Sequence, residues 1–116
     1  MALRDSYDCV AVEIDDDGIA WVTFNRPEKR NAMNPQLHYD MEHILMELET
    51  DPSAKVIVIT GAGNSWSAGM DLREYFRETD NDPEAQYKSF TANKHWREES
   101  LFCKHFFCLL LAFFCT

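Results

Sequence analysis

The run Gly61 to Phe76, GAGNSWSAGMDLREYF, holds the residues of this chain best suited to chemistry. Its small residues keep the backbone accessible, and Met70-Asp71-Leu72 leads into a helix-forming stretch. Backbone N–H groups left unpaired where a loop enters a helix can hold an oxygen that is negative or becoming so. Acyl chemistry through an oxyanion and phosphate binding are the two uses such donors suggest. Upstream, the basic turn Arg26–Arg30 stands out in an acidic chain. It reads either as an ordinary exposed turn or as cations suited to the phosphates of a nucleotide-bearing substrate. Asp71 and Glu74 share a helix face at i, i+3, and solvated carboxylates or caps are the expected reading ahead of acid–base catalysis.

Other motifs fall away on spacing. After Gly61-Ala62-Gly63 the dinucleotide fingerprint would need glycine at position 66, where Trp66 stands, and no Gly-Lys-Ser/Thr follows for a P-loop. Ser65 and Ser67 lack the GxSxG setting of a nucleophile elbow. His38 and His43 are not spaced i, i+4 as a helical zinc pair would be, and are expected on a solvated helix face. Cys103, His105, Cys108 and Cys115 carry enough donor atoms for zinc, but their spacing is not a usual ligand pattern, so no metal is expected.

The loop must be positioned by what surrounds it. Val10, Val12 and Ile14 alternate with Ala11 and Glu13, as in a strand with one buried face. Asp15-Asp16-Asp17-Gly18 supplies a turn, and Ile19 to Phe24 completes a hairpin that ends at Asn25-Arg26-Pro27. Asn34-Pro35 predicts an N-cap with proline at the first helical position. Leu37, Met41, Ile44, Leu45 and Leu48 form one apolar stripe on the helix that follows, with Asp40, Glu42, Glu47 and Glu49 mainly off it. Lys55 to Thr60 shows no alternation and predicts a strand covered on both faces, hence a right-handed parallel crossover unit. A second helix is expected from near Gly69–Asp71 to the breaker Asp80-Asn81-Asp82-Pro83, and a third from about Glu84 to Glu98 with Tyr87, Phe90 and Trp96.

Composition bounds the rest. At 116 residues the chain is one domain or part of one, and a net charge of −9 with no basic stripe excludes nucleic acid as a partner. All 20 acidic and all but one of the 11 basic residues precede Leu101; the tail LFCKHFFCLLLAFFCT holds three of the four cysteines and five of the eight phenylalanines. The tail's apolar run, Phe106 to Cys115, is shorter than the roughly 20 residues a spanning helix needs, so no membrane span is expected. MALRDSYDCV has no signal-peptide core, and a lone Cys9 in the body fits a reducing setting; a cytoplasmic location is the expectation.

Taken together, the residues resemble the crotonase, or enoyl-CoA hydratase/isomerase, superfamily. The hairpin end Val22-Thr-Phe-Asn-Arg-Pro27, the Lys29 and Asn31-Ala-Met33 element, the amphipathic helix, Val56-Ile-Val-Ile-Thr-Gly61 and Ser67-Ala-Gly-Met-Asp-Leu72 occur in the family's order. NRPEKRNAM and TGAGNSWSAGMDLREYFRE are most similar to the 4-hydroxycinnamoyl-CoA hydratase-lyases within it. The resemblance implies an α/β fold, the ββα spiral of crotonases, of which residues 1–100 would be the N-terminal portion. It implies the Met70 backbone N–H as one of two oxyanion-hole donors to a thioester carbonyl. Ala68, Gly69, Asp71 and Leu72 would line the CoA and pantetheine path, Lys29 and Ala32 would lie near the CoA nucleotide, and Tyr75 would meet a phenolic acyl end. Water addition and retro-aldol cleavage would turn feruloyl-CoA into vanillin and acetyl-CoA. An acyl-CoA thioester would be the small-molecule partner, with CoA part of the substrate and no separate cofactor; full-length family members form trimers or hexamers.

The pattern then breaks. Where the family continues into a strand, a Gly-rich turn with the second oxyanion donor and later a glutamate acid/base, this chain has the 101–116 tail, and its last glycine is Gly69. Loss of one oxyanion donor costs roughly 10²–10³ in rate and loss of acid–base help about 10²–10⁴. The chain alone is therefore expected to be inactive and poorly stable, with the Val56–Thr60 strand lacking neighbours. An ordinary enoyl-CoA hydratase and a non-catalytic interaction fragment with an apolar tail are the rival readings. A changed reading frame or translated intron near Ser100 would explain the tail. Transcript sequencing is expected to show a Gly-rich strand-turn and a glutamate in another frame downstream; an open frame without them rejects that origin.

Overall fold

Alternation and turn chemistry produce the first hairpin as expected. In the computed structural model, which describes residues 3–79, 82–102 and 110–111 (side chains at 75, 78, 79, 99–102 and 110–111 excepted), strand β1 is Val10–Ile14 and β2 is Ile19–Phe24. They pair antiparallel, Val10 opposite Phe24 and Ile14 opposite Ala20. Gly18 takes φ 87° at the turn, and its carbonyl accepts from Lys55 N at 2.7 Å, which tethers the hairpin tip to the start of the next strand. After the 3₁₀ turn Pro27–Lys29 come helix α1 (Pro35–Thr50), strand β3 (Val56–Gly61), helices α2 (Leu72–Thr79) and α3 (Pro83–Phe102), and the short strand β4 (Leu110–Leu111).

The sheet order is β1-β2-β3-β4, antiparallel at the first pair and parallel at the others. β2, α1 and β3 therefore form the expected parallel crossover, with Ala20 opposite Ile57 and Val22 opposite Ile59. Asn34 caps α1 by accepting from Leu37 N at 2.9 Å, with Pro35 at the first turn. The whole predicted stripe, Leu37, Met41, Ile44, Leu45 and Leu48, is buried in one core with Ala20, Val22, Phe24, Ile57 and Ile59. The α/β expectation holds.

Four details depart from the sequence reading. β3 is not left without neighbours: β2 pairs along its length, β4 pairs at Val58 and Ile59, and Ile57, Val58 and Ile59 are all buried. His38, expected in solvent, is 1% exposed because α3 covers that face of α1. Trp96 Nε1 donates to His38 Nδ1 at 3.0 Å, and the two rings stack with centroids 6.2 Å apart. Asp40, expected off the apolar stripe, is buried, accepting from Cys9 N at 2.9 Å and from the Gln36 side chain at 2.8 Å. α3 also runs to Phe102, past the expected end. For His38 and Asp40, tertiary contacts supply partners that a single-helix projection cannot show.

Burial pushes the Cys9 thiol up to about 11, so it stays protonated in the core. Among the described residues no group of acidic, His or Cys side chains is arranged to hold a metal, and no helix is long and apolar enough to cross a membrane. Cys103, His105, Cys108 and Cys115 lie outside the described residues.

Burial, followed by the charge of Arg97, pushes His38 down to about 4. A depressed histidine leaves stability intact above its unfolded value near 6.5 and removes it as pH falls toward the folded value. Chemical denaturation is expected to show stability falling by up to about 3 kcal/mol between pH 6.5 and 4. His38→Leu should flatten that slope; wild-type stability constant across the window contradicts the buried neutral imidazole.

Candidate active site

The loop after β3 is built against the loop after β2. Gly61 is required sterically: a Cβ there would sit 2.4 Å from the Trp66 carbonyl oxygen and 2.5 Å from that of Ser65. Asn31, fully buried with φ 55°, is the nail between the two loops. Its amide donates to the Ala62 carbonyl at 2.8 Å and the Ser65 carbonyl at 2.6 Å, while its side-chain oxygen accepts from Arg26 N at 2.8 Å. Ser67 Oγ donates to the Asn31 carbonyl at 2.8 Å and accepts from Gly69 N at 3.1 Å. Ala68 N donates to the Arg30 carbonyl at 2.8 Å.

Met33 and Met70 then form a parallel bridge. Met33 N donates to the Gly69 carbonyl at 2.7 Å, and Asp71 N donates to the Met33 carbonyl at 2.8 Å. In a parallel pair bonded this way the middle residue turns its own N–H and C=O away from the partner strand. Met70 is that residue. Its N–H meets no acceptor among the described residues, so it is a fixed, unspent donor at the entrance to α2.

One buried cation holds this bridge in place. The Arg26 guanidinium donates to the Ala32 carbonyl and lies 3.2 Å from Asp71 Oδ2 and 3.3 Å from Glu74 Oε2. Asn34 Nδ2 donates to the same Glu74 oxygen at 2.7 Å. Asp71 also caps α2, accepting from Glu74 N at 3.1 Å. Burial opposes ionisation of Asp71, but the Glu74 N–H and the Arg26 guanidinium outweigh it and hold its carboxyl below the usual carboxylate range.

The predicted site residues are therefore partly brought together. Lys29, Ala32, Met70, Asp71 and Leu72 line one cleft of about 490 Å³. Ala68 and Gly69 are exposed just before it and do not line it. Tyr75 lies within α2, but its side chain is outside the described residues. Of the basic turn, Arg26 is an internal ion-pair partner and not a free cation, whereas Lys29 does face the cleft. Glu74, Arg73 and Arg77 also line it. Arg73 and Arg77 stand i, i+4 on α2, a spacing that by itself does not say which cleft they border. Lys29, Arg73 and Arg77 put three cations around a cleft that Met70 also lines.

This sheet, crossover helix and tied loop superpose on the crystal structure of an enoyl-CoA hydratase/isomerase from Mycobacterium paratuberculosis with a TM-score of 0.81. Identity is 28%, and the match covers 94% of this chain and 42% of that one. The chain belongs to the enoyl-CoA hydratase/isomerase family, whose sequence profile matches residues 15–101. A hydroxycinnamoyl-CoA hydratase-lyase from Pseudomonas fluorescens is 63% identical over 75 residues, 65% of this chain and 27% of that protein. A putative enoyl-CoA hydratase from Thermus thermophilus is 35% identical over 77 residues, 66% of this chain and 30% of that protein. The chain thus spans less than a third of the length of either relative.

Removing one partner from a buried ion cluster leaves the other charges uncompensated. Arg26→Met, which keeps volume but not charge, is expected to cost about 3 kcal/mol in urea unfolding. A loss below about 1 kcal/mol would mean that Asp71 and Glu74 reach solvent without it.

Proposed function

We propose that the chain provides the acyl-CoA-binding side of a hydratase/lyase site acting on 4-hydroxycinnamoyl-CoA thioesters such as feruloyl-CoA. The observation that carries this is the unspent Met70 N–H, fixed by the Met33 bridge beside three cations. The 63% identity to a hydroxycinnamoyl-CoA hydratase-lyase supports the choice of acyl group. The CoA phosphates meet Lys29, Arg73 and Arg77, and the pantetheine runs past Ala32, Ala68, Gly69 and Leu72 toward Met70. The thioester oxygen accepts from the Met70 N–H, which binds the developing enolate more strongly than the neutral carbonyl.

Water adds across the conjugated double bond, hydroxyl to Cβ and proton to Cα. The β-hydroxyl then loses its proton as the Cα–Cβ bond breaks, releasing a 4-hydroxybenzaldehyde; the acetyl-CoA enolate is protonated at Cα. The reaction uses no cofactor beyond the CoA of its substrate. A second oxyanion donor and a glutamate acid/base complete the site, within the trimeric or hexameric assembly and cytoplasmic setting the reading implies. This chain by itself binds the thioester without turning it over.

Calorimetric titration with feruloyl-CoA is expected to show binding without aldehyde release. Arg77→Glu should weaken it about tenfold, by roughly 1.4 kcal/mol, and more so at low salt. Joining residues 1–100 to the remaining sequence of the Pseudomonas fluorescens relative should yield vanillin and acetyl-CoA in equal amounts. Hydration of the thioester without aldehyde favours a simple enoyl-CoA hydratase, and no binding at all rejects an acyl-CoA site.

A further inference from the structure

The segment before β1 is fastened to α1 by a tyrosine that meets a histidine. Tyr7 Oη lies 2.7 Å from His43 Nδ1, although the two residues stand 36 positions apart. The part-buried Tyr7 packs against the core, while its hydroxyl accepts from the exposed Arg4 backbone N–H at 3.2 Å. Behind the imidazole, Glu47 Oε1 lies 3.9 Å from His43 Nε2, an i, i+4 spacing on α1. That is ion-pair distance and too long for a hydrogen bond. The Arg4 guanidinium stands over the Tyr7 ring, 5.6 Å from its centroid. None of these four residues lines the cation-rimmed cleft.

A carboxylate beside Nε2 favours the tautomer that carries its proton there, which leaves the Nδ1 lone pair for the phenolic O–H. Tyr7 then donates to His43 and accepts from Arg4, and both roles of its hydroxyl are filled. A nucleophile bonded to a base, with a third group orienting that base, is the recurring arrangement of activated hydroxyls. Charge that develops on the phenol as its proton leaves meets the Arg4 N–H and, across the ring, the Arg4 guanidinium. The His43 and Glu47 side chains are 20% and 12% exposed, so water competes little for the base while the hydroxyl end stays near the surface. A tether to α1 needs only the Tyr7–His43 bond. The carboxylate behind the base and the cation over the ring add what a nucleophile requires.

We infer that Tyr7 is a nucleophilic tyrosine, a covalent modification site for small activated acyl donors, with His43 as general base and Glu47 as the positioning residue. The bond from Tyr7 Oη to the acyl carbon forms, the bond from that carbon to its leaving group breaks, and the phenolic proton passes to His43 Nδ1. The leaving group departs with the bonding pair and takes the proton that His43 holds, which returns the base to its neutral form. No oxidant or reductant takes part. The product, an aryl ester, has no O–H to donate, so acylation removes the hydrogen bond that fastens residues 4–7 to α1.

The probe is N-acetylimidazole, added in limiting amount to the full chain, with acetylation at each tyrosine followed by peptide mass spectrometry. Hydroxylamine cleaves aryl acetates and spares acetylated amines, which identifies the ester. Exposure alone ranks Tyr87, 73% exposed, ahead of the part-buried Tyr7. General-base help of about 10²–10⁴, offset in part by that burial, reverses the order, and Tyr7 is expected to react about tenfold faster than Tyr87. The two rates should converge in concentrated urea. His43→Asn, whose side-chain oxygen takes the place of Nδ1 as an acceptor without its basicity, should bring Tyr7 down to the Tyr87 rate or below. Glu47→Gln should slow Tyr7 severalfold and lower the share of the Nε2–H tautomer of His43 in long-range ¹H–¹⁵N spectra, which a merely structural carboxylate would leave unmoved. A Tyr7 rate unchanged by His43→Asn overturns the inference. So does a Tyr7 no faster than Tyr87 in the wild-type chain, whatever the variants' folding.

Discussion

The buried Arg26 guanidinium is the constraint on which the site depends. It sits where the hairpin ends and reaches three places: the Ala32 carbonyl, the Asp71 carboxylate and the Glu74 carboxylate. Those groups belong to the loop before α1 and to the first turn of α2, which are far apart in the chain. A charge placed in a low-dielectric interior must be matched closely, because each unpaired partner carries a large desolvation penalty. The cluster therefore tolerates little variation in geometry. What it holds in place is backbone.

Around that cation the two loops are joined by short-range devices of different kinds. Asn31 mimics a strand with its amide, spending both faces on Ala62, Ser65 and Arg26. The Met33–Met70 bridge adds a single rung of parallel sheet. One rung is sufficient to determine which way each peptide faces, because pleating alternates the direction of successive N–H groups. Thus the Met70 N–H turns away from the Met33 strand for the same reason that the Gly69 carbonyl and the Asp71 N–H turn toward it. A donor held in this way is oriented before any acceptor arrives.

The apolar core was legible in the residues because its signals are local. The α1 stripe from Leu37 to Leu48, the Asn34-Pro35 cap and the Gly18 turn each follow from side-chain period or from one residue's backbone preference, and all appear as expected. Buried polar residues were not legible in the same way. His38 and Asp40 look like solvent-facing positions on a helical wheel, yet each has a partner from another element: Trp96 of α3 and the Cys9 backbone. Arg26 belongs to the same class, since its proximity in sequence to Lys29 and Arg30 hides that it turns inward. Arg73 and Arg77 belong here too, since an i, i+4 pair on an exposed helix gives no hint of which cleft it borders.

The loop from Gly61 to Leu72 shows where the division falls. Its residue types alone determined that a small-residue strand-to-helix turn would present backbone donors, and its wording carried the resemblance to the enoyl-CoA hydratase/isomerase family to which the chain belongs. Propensity and period act within a few residues, so they survive in the linear chain. Which N–H remains unspent, which cations border it and which imidazole is buried were decided only by contacts between segments far apart in sequence. Those contacts depend on how α1, α3 and the two loops pack together, and a buried charge or hydrogen bond acquires its partner only when that packing exists.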